Sequence, residues 1–216
     1  MSKIKKSLMN QEKIKRLRQS AEIEFVERKS LFIGYSAIVK NEEEALEIIK
    51  QRKKMFADAT HNVYAYIIGD GTVSRYSDDG EPQGTSGMPT LNAIRMSGIT
   101  DVCVVITRYF GGILLGAGGL VRAYSTAASM ALEAGGIAVF EKYVEFETVC
   151  SYSDYQKIQN ILISNDTIVD CTDFGSEITV RFAVAEDRAE KLKLNITEAF
   201  AARVKLKELG QRFDTK

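Results

Sequence analysis

Between Tyr76 and Tyr124 the chain reads YSDDGEPQGTSGMPTLNAIRMSGITDVCVVITRYFGGILLGAGGLVRAY. This stretch is under a quarter of the sequence, yet it holds both prolines and half or more of the sixteen glycines. Glycine loses more backbone freedom on folding than any other residue, so its concentration points to turns with positive φ or to close backbone approach. An acidic loop (Asp78, Asp79, Glu81) opens the stretch. A glycine-rich turn between Arg108 and Arg122 closes it.

A chain of 216 residues fits one large domain or two small ones. Its 45% hydrophobic and 27% charged residues are ordinary for a soluble globular protein. The net charge is zero, so the molecule as a whole is not a polyanion binder. The charge is uneven, however. Residues 1–20 carry seven Lys/Arg against one Glu; residues 21–140 carry eleven against fourteen, as do residues 141–216. Cys103, Cys150 and Cys171 give neither a disulfide framework nor a metal spacing, and each sits in an apolar or strand-like run where a thiol packs as a small hydrophobe. One histidine excludes a multi-histidine metal site. The basic N-terminus lacks the apolar core of a secretory signal, and no apolar run approaches the ~20 residues of a membrane span. The expectation is a cytoplasmic protein without a membrane partner.

Residues 3–18 predict a basic helix with a thin apolar stripe of Ile4, Leu8, Ile14 and Leu17. Its role is either a solvated terminal arm or an arm that touches phosphate. Strands are expected over Glu22–Arg28 and Leu31–Val39. Asn41 has the character of an N-cap, with Glu42, Glu43 and Glu44 suited to the first turn of the helix that follows. A hairpin is expected over Val63–Ile68 and Thr72–Tyr76, then a short helix to Ser97 and a buried β-branched strand over Val102–Thr107. An alanine-rich helix follows, beginning at Ala117 or Leu120 and ending at Gly135-Gly136. From Val144 onward the order is βαββαβ, the ferredoxin-like unit. The expected division is a basic arm over 1–20, an α/β domain over 21–138 and a ferredoxin-like domain over 139–216.

Arg108-Tyr109-Phe110-Gly111-Gly112 runs from a strand into glycine-rich backbone, and Gly116, Gly118 and Gly119 lead into a helix start. Free N–H groups and a positive dipole end suit an anion there, which Arg108 and Arg122 would clasp. No Gly-Lys-Ser/Thr follows, so this is not a Walker loop. The structural alternative is that the glycines allow tight packing and the arginines pair with the acidic loop. Asp78, Asp79 and Glu81 could hold Mg²⁺ or supply acid/base pairs; alternatively they cap a rigid turn and pair with arginine. Thr85 sits close to either arrangement. His61, with Thr60 and Asn62, is a candidate for the same cleft. Tyr109, with Tyr64, Tyr66, Tyr76 and Phe110, offers either bases to stack on or core packing.

Three blocks resemble the YigZ/IMPACT family. ERKSLFIG (Glu27–Gly34) is similar to its K-S-R-F-I, with Leu31 where a basic residue is usual. ATHNVYAY (Ala59–Tyr66) is similar to A-T-H-N-C-x-A-Y, with Val63 in place of the common cysteine. SDDGEP-x-GT, VVITRYFGG and LGAGGLVRAY match closely within the third block, Asp78–Tyr124. The resemblance implies a two-layer α/β sandwich domain of the kind shared by a ribosomal protein, domain IV of elongation factor G and the GHMP kinases. It also implies a smaller C-terminal domain like domain V of that factor. Eukaryotic relatives restrain activation of a stress kinase that acts on translation initiation; with no regulatory domain ahead of the family block, this chain resembles the bacterial form. The implied function is a non-enzymatic binding protein without cofactor, contacting RNA, the ribosome or a translation-associated protein. The alternative is a phosphate- or nucleotide-binding enzyme using the glycine turn and the acidic loop. Oligomeric state is open at this point.

Overall fold

A computed structural model describes residues 13–69 and 71–215. The chain divides into two compact units, one up to Val139 and the other from Phe140.

The first unit is built on a five-stranded antiparallel sheet in the order β2-β3-β6-β4-β5. Its strands are β2 (Ala21–Glu27), β3 (Ser30–Ile38), β4 (His61–Ile68), β5 (Val73–Ser77) and β6 (Val102–Tyr109). β6 is the continuous apolar run read from the sequence, and Val102 to Arg108 are all buried. Residues of a strand alternate between faces, and that alternation separates two cores. Val63, Ala65, Ile67, Val104 and Ile106 face one side with Leu91, Ile94, Ala127 and Leu132. Tyr66, Ile68, Cys103 and Val105 face the other, against Ala45 and Ile49. Helices α2 (Gly87–Ser97) and α3 (Ala117–Gly135) therefore cover the first face, in keeping with the expected α/β class. Helix α1 (Glu42–Met55) adds cover to the opposite face. Burial pushes the Cys103 thiol up to about 12, so it packs as an inert apolar group.

Local rules explain the helices. Asn41 accepts a hydrogen bond from the Glu44 amide at 2.9 Å, a cap contributing about 1 kcal/mol. On α3, Leu120, Ala123, Tyr124, Ala127, Ala128 and Ala131 are buried at helical spacing. The small side chains let α3 lie close to β3. A Cβ on Gly34 would sit 3.0 Å from the Ala127 carbonyl oxygen, and the Ser36 hydroxyl donates to the Ala131 carbonyl at 2.7 Å.

The basic helix expected over 3–18 is corrected where it can be seen. Residues 3–12 lie outside the described residues, and Lys13–Leu17 form a strand, β1. Ile14 and Leu17 are buried, Lys15 bridges Ile99 in parallel, and the Thr100 amide donates to the Lys15 carbonyl at 3.1 Å. A short helix carries a nucleation cost. Here the backbone finds partners in the turn after α2, and two apolar side chains find a core.

The second unit has β7 (Ile137–Cys150), α4 (Tyr152–Ser164), β8 (Ile168–Phe174), β9 (Ile178–Ala185), α5 (Glu186–Ala199) and β10 (Leu206–Asp214). Its strands pair antiparallel in the order β10-β7-β9-β8. That is the ferredoxin-like arrangement of a βαββαβ chain. Ile158, Leu162, Leu192 and Ile196 from the two helices pack on Phe146, Val180 and Phe182. Cys150 is buried, while Cys171, beside a register shift in β8, is half-buried.

Candidate functional site

The acidic loop folds as a turn around Asp78. Its carboxylate accepts from the amides of Gly84, Ser86 and Gly87 at 2.9, 3.2 and 2.8 Å, and from the Ser86 hydroxyl at 2.7 Å. Burial pushes the Asp78 carboxyl up, but these hydrogen bonds outweigh it and hold it below its ordinary value of 3.8. The folded value lies below the unfolded one. The contribution of the turn is therefore complete above the ordinary Asp range and fades as pH falls through the depressed folded value. Acid titration of stability should show an added loss below about pH 4 that Asp78→Asn lacks. Matching acid limbs in the two proteins would refute this.

Asp79 adopts φ 45° ahead of Gly80 at φ 86°. Its carboxylate accepts from the Asn62 amide at 2.7 Å and pairs with Lys53. Asp78 and Asp79 are thus held by protein donors, as is Glu81. Among the described residues no group of three or more His, Cys, Asp or Glu is arranged to hold a metal.

Glu81 turns inward. Its side chain is 3% exposed and its Oε1 accepts from Arg108 Nη1 at 2.6 Å and from the Tyr124 hydroxyl at 2.8 Å. Burial, with the Glu81 charge beside it, pushes the Tyr124 hydroxyl far up, so it stays a donor. Arg108 is also buried, with Nη2 donating to the Ser30 hydroxyl at 3.3 Å and the guanidinium lying between Phe32 and Phe110. His61 completes the cluster. Its Nδ1 donates to the Asp79 carbonyl at 2.8 Å, and its Nε2 faces Glu81 Oε2 at 3.8 Å.

These groups form one wall of a cavity of about 370 Å³. Phe110, Leu114, Leu115 and Leu120 form the apolar wall, and Gly116 and Ala117 bring the start of α3 to its edge. Gly116 is the N-cap and gives no side-chain cap, so the first amides of α3 lack intrahelical partners.

The sequence candidates therefore divide. His61, Glu81, Arg108 and Gly116 come together, with Thr60. Gly118 and Gly119 lie in the first turn of α3, outside the cavity lining. Arg122 is exposed and does not line the cavity, whereas Arg108 is buried and neutralised by Glu81, so the two arginines do not form a clasp there. Gly111 serves packing, since a Cβ there would meet the Lys29 backbone, and Gly112 at φ 81° faces open space. The Thr85 hydroxyl donates to the Pro82 carbonyl, closing the loop on itself. Tyr109 reaches away, its hydroxyl donating to Asp58 at 2.8 Å. Sequence reasoning missed Tyr124 and Ser30. A tyrosine among alanines on the buried face of a helix was the available signal, because a buried hydroxyl needs a partner.

Fold and site define a two-unit α/β chain whose first unit carries a helix-started cleft over a buried carboxylate–guanidinium pair. Residues 28–132 match the Impact N-terminal domain, and residues 148–203 match a domain of unknown function, DUF1949. The chain is 35% identical over 193 residues to the IMPACT family member YvyE of Bacillus subtilis, covering 89% of each. It is 30% identical over 174 residues to the IMPACT family member YigZ of Escherichia coli, covering 79% of this chain and 85% of that one. The chain belongs to the IMPACT family. A protein IMPACT homolog of Dictyostelium discoideum is 38% identical over 96 residues, which are 27% of its length. A crystal structure of a hypothetical protein superposes with a TM-score of 0.58 at 27% identity, covering 92% of this chain and 98% of that one. No helix among the described residues is long and apolar enough to cross a membrane.

Proposed function

We propose that this is a translation-linked binding protein that engages RNA on the ribosome through the exposed glycine-arginine face of its first unit. The observation that carries the reading is the exposed surface around the glycine turn. Arg28 and Lys29, at the tip of the β2–β3 hairpin, are exposed, as are Phe110, Leu114 and Arg122. Arg28 Nη1 donates to the Leu114 carbonyl at 3.3 Å, which ties the hairpin tip to the turn. Exposed cations and an exposed aromatic ring on the segments around this turn suit phosphate contact and base stacking. The family's eukaryotic members, with their link to translational control, support the same direction. The alternative, a phosphate- or nucleotide-binding enzyme, draws on the cavity but has all three of its proposed metal carboxylates engaged by protein donors.

Co-sedimentation with ribosomes across a salt series tests this. Arg28→Ala/Lys29→Ala/Arg122→Ala should bind more weakly and with a shallower salt dependence, the slope falling by about 1 for each cation that meets a phosphate. Arg108 is left intact because it is structural. Absence of binding at low salt, or an unchanged slope in the folded triple variant, would overturn the reading.

A further inference from the structure

We propose that the cavity of the first unit seats one ribonucleoside monophosphate unit, with His61 and Glu81 reading its ribose hydroxyls. This rests on the RNA reading above and names which part of the RNA enters the protein.

Two polar atoms of the cavity lining, Glu81 Oε2 and His61 Nε2, face each other. Glu81 Oε1 is taken by Arg108 and Tyr124, whereas among the described residues Oε2 makes no hydrogen bond and has His61 Nε2 at 3.8 Å as its polar neighbour. His61 gives its Nδ1 proton to the Asp79 carbonyl, which leaves Nε2 as the ring nitrogen turned toward the carboxylate. Glu81 lines the cavity on a side chain only 3% exposed, so a donor entering the cavity can satisfy its second oxygen. A vicinal diol meets both groups: one hydroxyl donates to Oε2, and the other pairs with Nε2 as donor or acceptor, while a carboxylate is a natural reader of ribose hydroxyls.

The start of α3 is the second, separate feature. Gly116 and Ala117 reach the same cavity, no acidic residue occupies the first turn, and no side chain caps it. Its free amides and dipole suit a phosphate. Phe110, Leu114 and Leu115 supply the apolar surface a base requires. At about 370 Å³ the cavity lies within the size range of small-molecule sites. Inorganic phosphate would satisfy only the helix, and a metal would find only two ligands.

The chain's single histidine makes the test direct. The His61 imidazole resonances are followed by NMR in the full chain during titration with the four ribonucleoside 5′-monophosphates and their 2′-deoxy counterparts. At least one ribonucleotide is expected to shift the imidazole saturably, with its deoxy form binding at least tenfold more weakly. Silence of the imidazole toward all four, or equal affinity of ribo and deoxy forms, would overturn the inference. Ribosome co-sedimentation reads the broader function independently. Ribosome binding with a silent imidazole removes this site and leaves that function standing; an imidazole response without ribosome binding does the reverse.

Discussion

Glu81→Ala should destabilise the first unit by about 3–5 kcal/mol. The reason is what it leaves behind. Arg108 is 5% exposed, and without Glu81 its guanidinium is a buried charge held by the Ser30 hydroxyl and two aromatic faces. Its Nε already lacks a hydrogen bond. The Tyr124 hydroxyl is orphaned at the same time. Glu81→Gln keeps an acceptor for Tyr124 but removes the charge, so its effect should be intermediate. Glu81→Leu/Arg108→Met should recover much of the loss, because replacing both partners removes the uncompensated charge. Urea denaturation followed by far-UV circular dichroism measures this, with the transition of the second unit as an internal reference. A loss below about 1 kcal/mol for Glu81→Ala, as for an exposed pair, would show that the pair is solvated and refute its burial.

Gly111→Ala should be equally damaging, for a steric reason. An added Cβ would fall 2.0 Å from the backbone carbonyl of Lys29 and 2.5 Å from the Ser30 amide nitrogen. Backbone cannot yield as a flexible side chain does, so the β2–β3 turn must move. That turn is already tight, with Arg28 and Lys29 at φ 45° and 63°. Moving it also breaks the bond from the Gly111 amide to the Ser30 hydroxyl. Overpacking of this severity costs about 3 kcal/mol or more. The neighbouring Gly112→Ala is the control. Gly112 has open space around its missing Cβ but a φ of 81°, so the expected loss is about 1 kcal/mol of backbone strain. Equal losses at the two positions, measured by the same denaturation, would refute the contact between Gly111 and the turn.

Much of the local structure was legible because it follows rules of short range. The Asn41 cap, the buried strand expected over Val102–Thr107 and the alanine-rich helix all appear where composition and period put them, the strand running on to Tyr109. The βαββαβ order of the second unit was legible for the same reason. The site was legible only in part. Glycines and acidic residues marked the right segment, yet their residue types did not say which carboxylate turns inward. Asp78 and Glu81 stand three apart in one loop; one caps backbone amides while the other is buried against arginine.

What the sequence by itself determined was the set of elements and the segment where chemistry concentrates, since propensity, capping and periodicity act between near neighbours. Tertiary structure alone decided the partners. Glu81 meets Arg108 across 27 residues and Tyr124 across 43, and such pairings have no period to read. The same holds for β1, whose basic residues favour a solvated helix until Ile99 and Thr100 offer its backbone another partner. It holds too for the two arginines of the glycine turn. Strand β6 carries Arg108 into the core beside a carboxylate, while α3 turns Arg122 to solvent. Burial, which sets the strength of a charge, is a property of the packed chain.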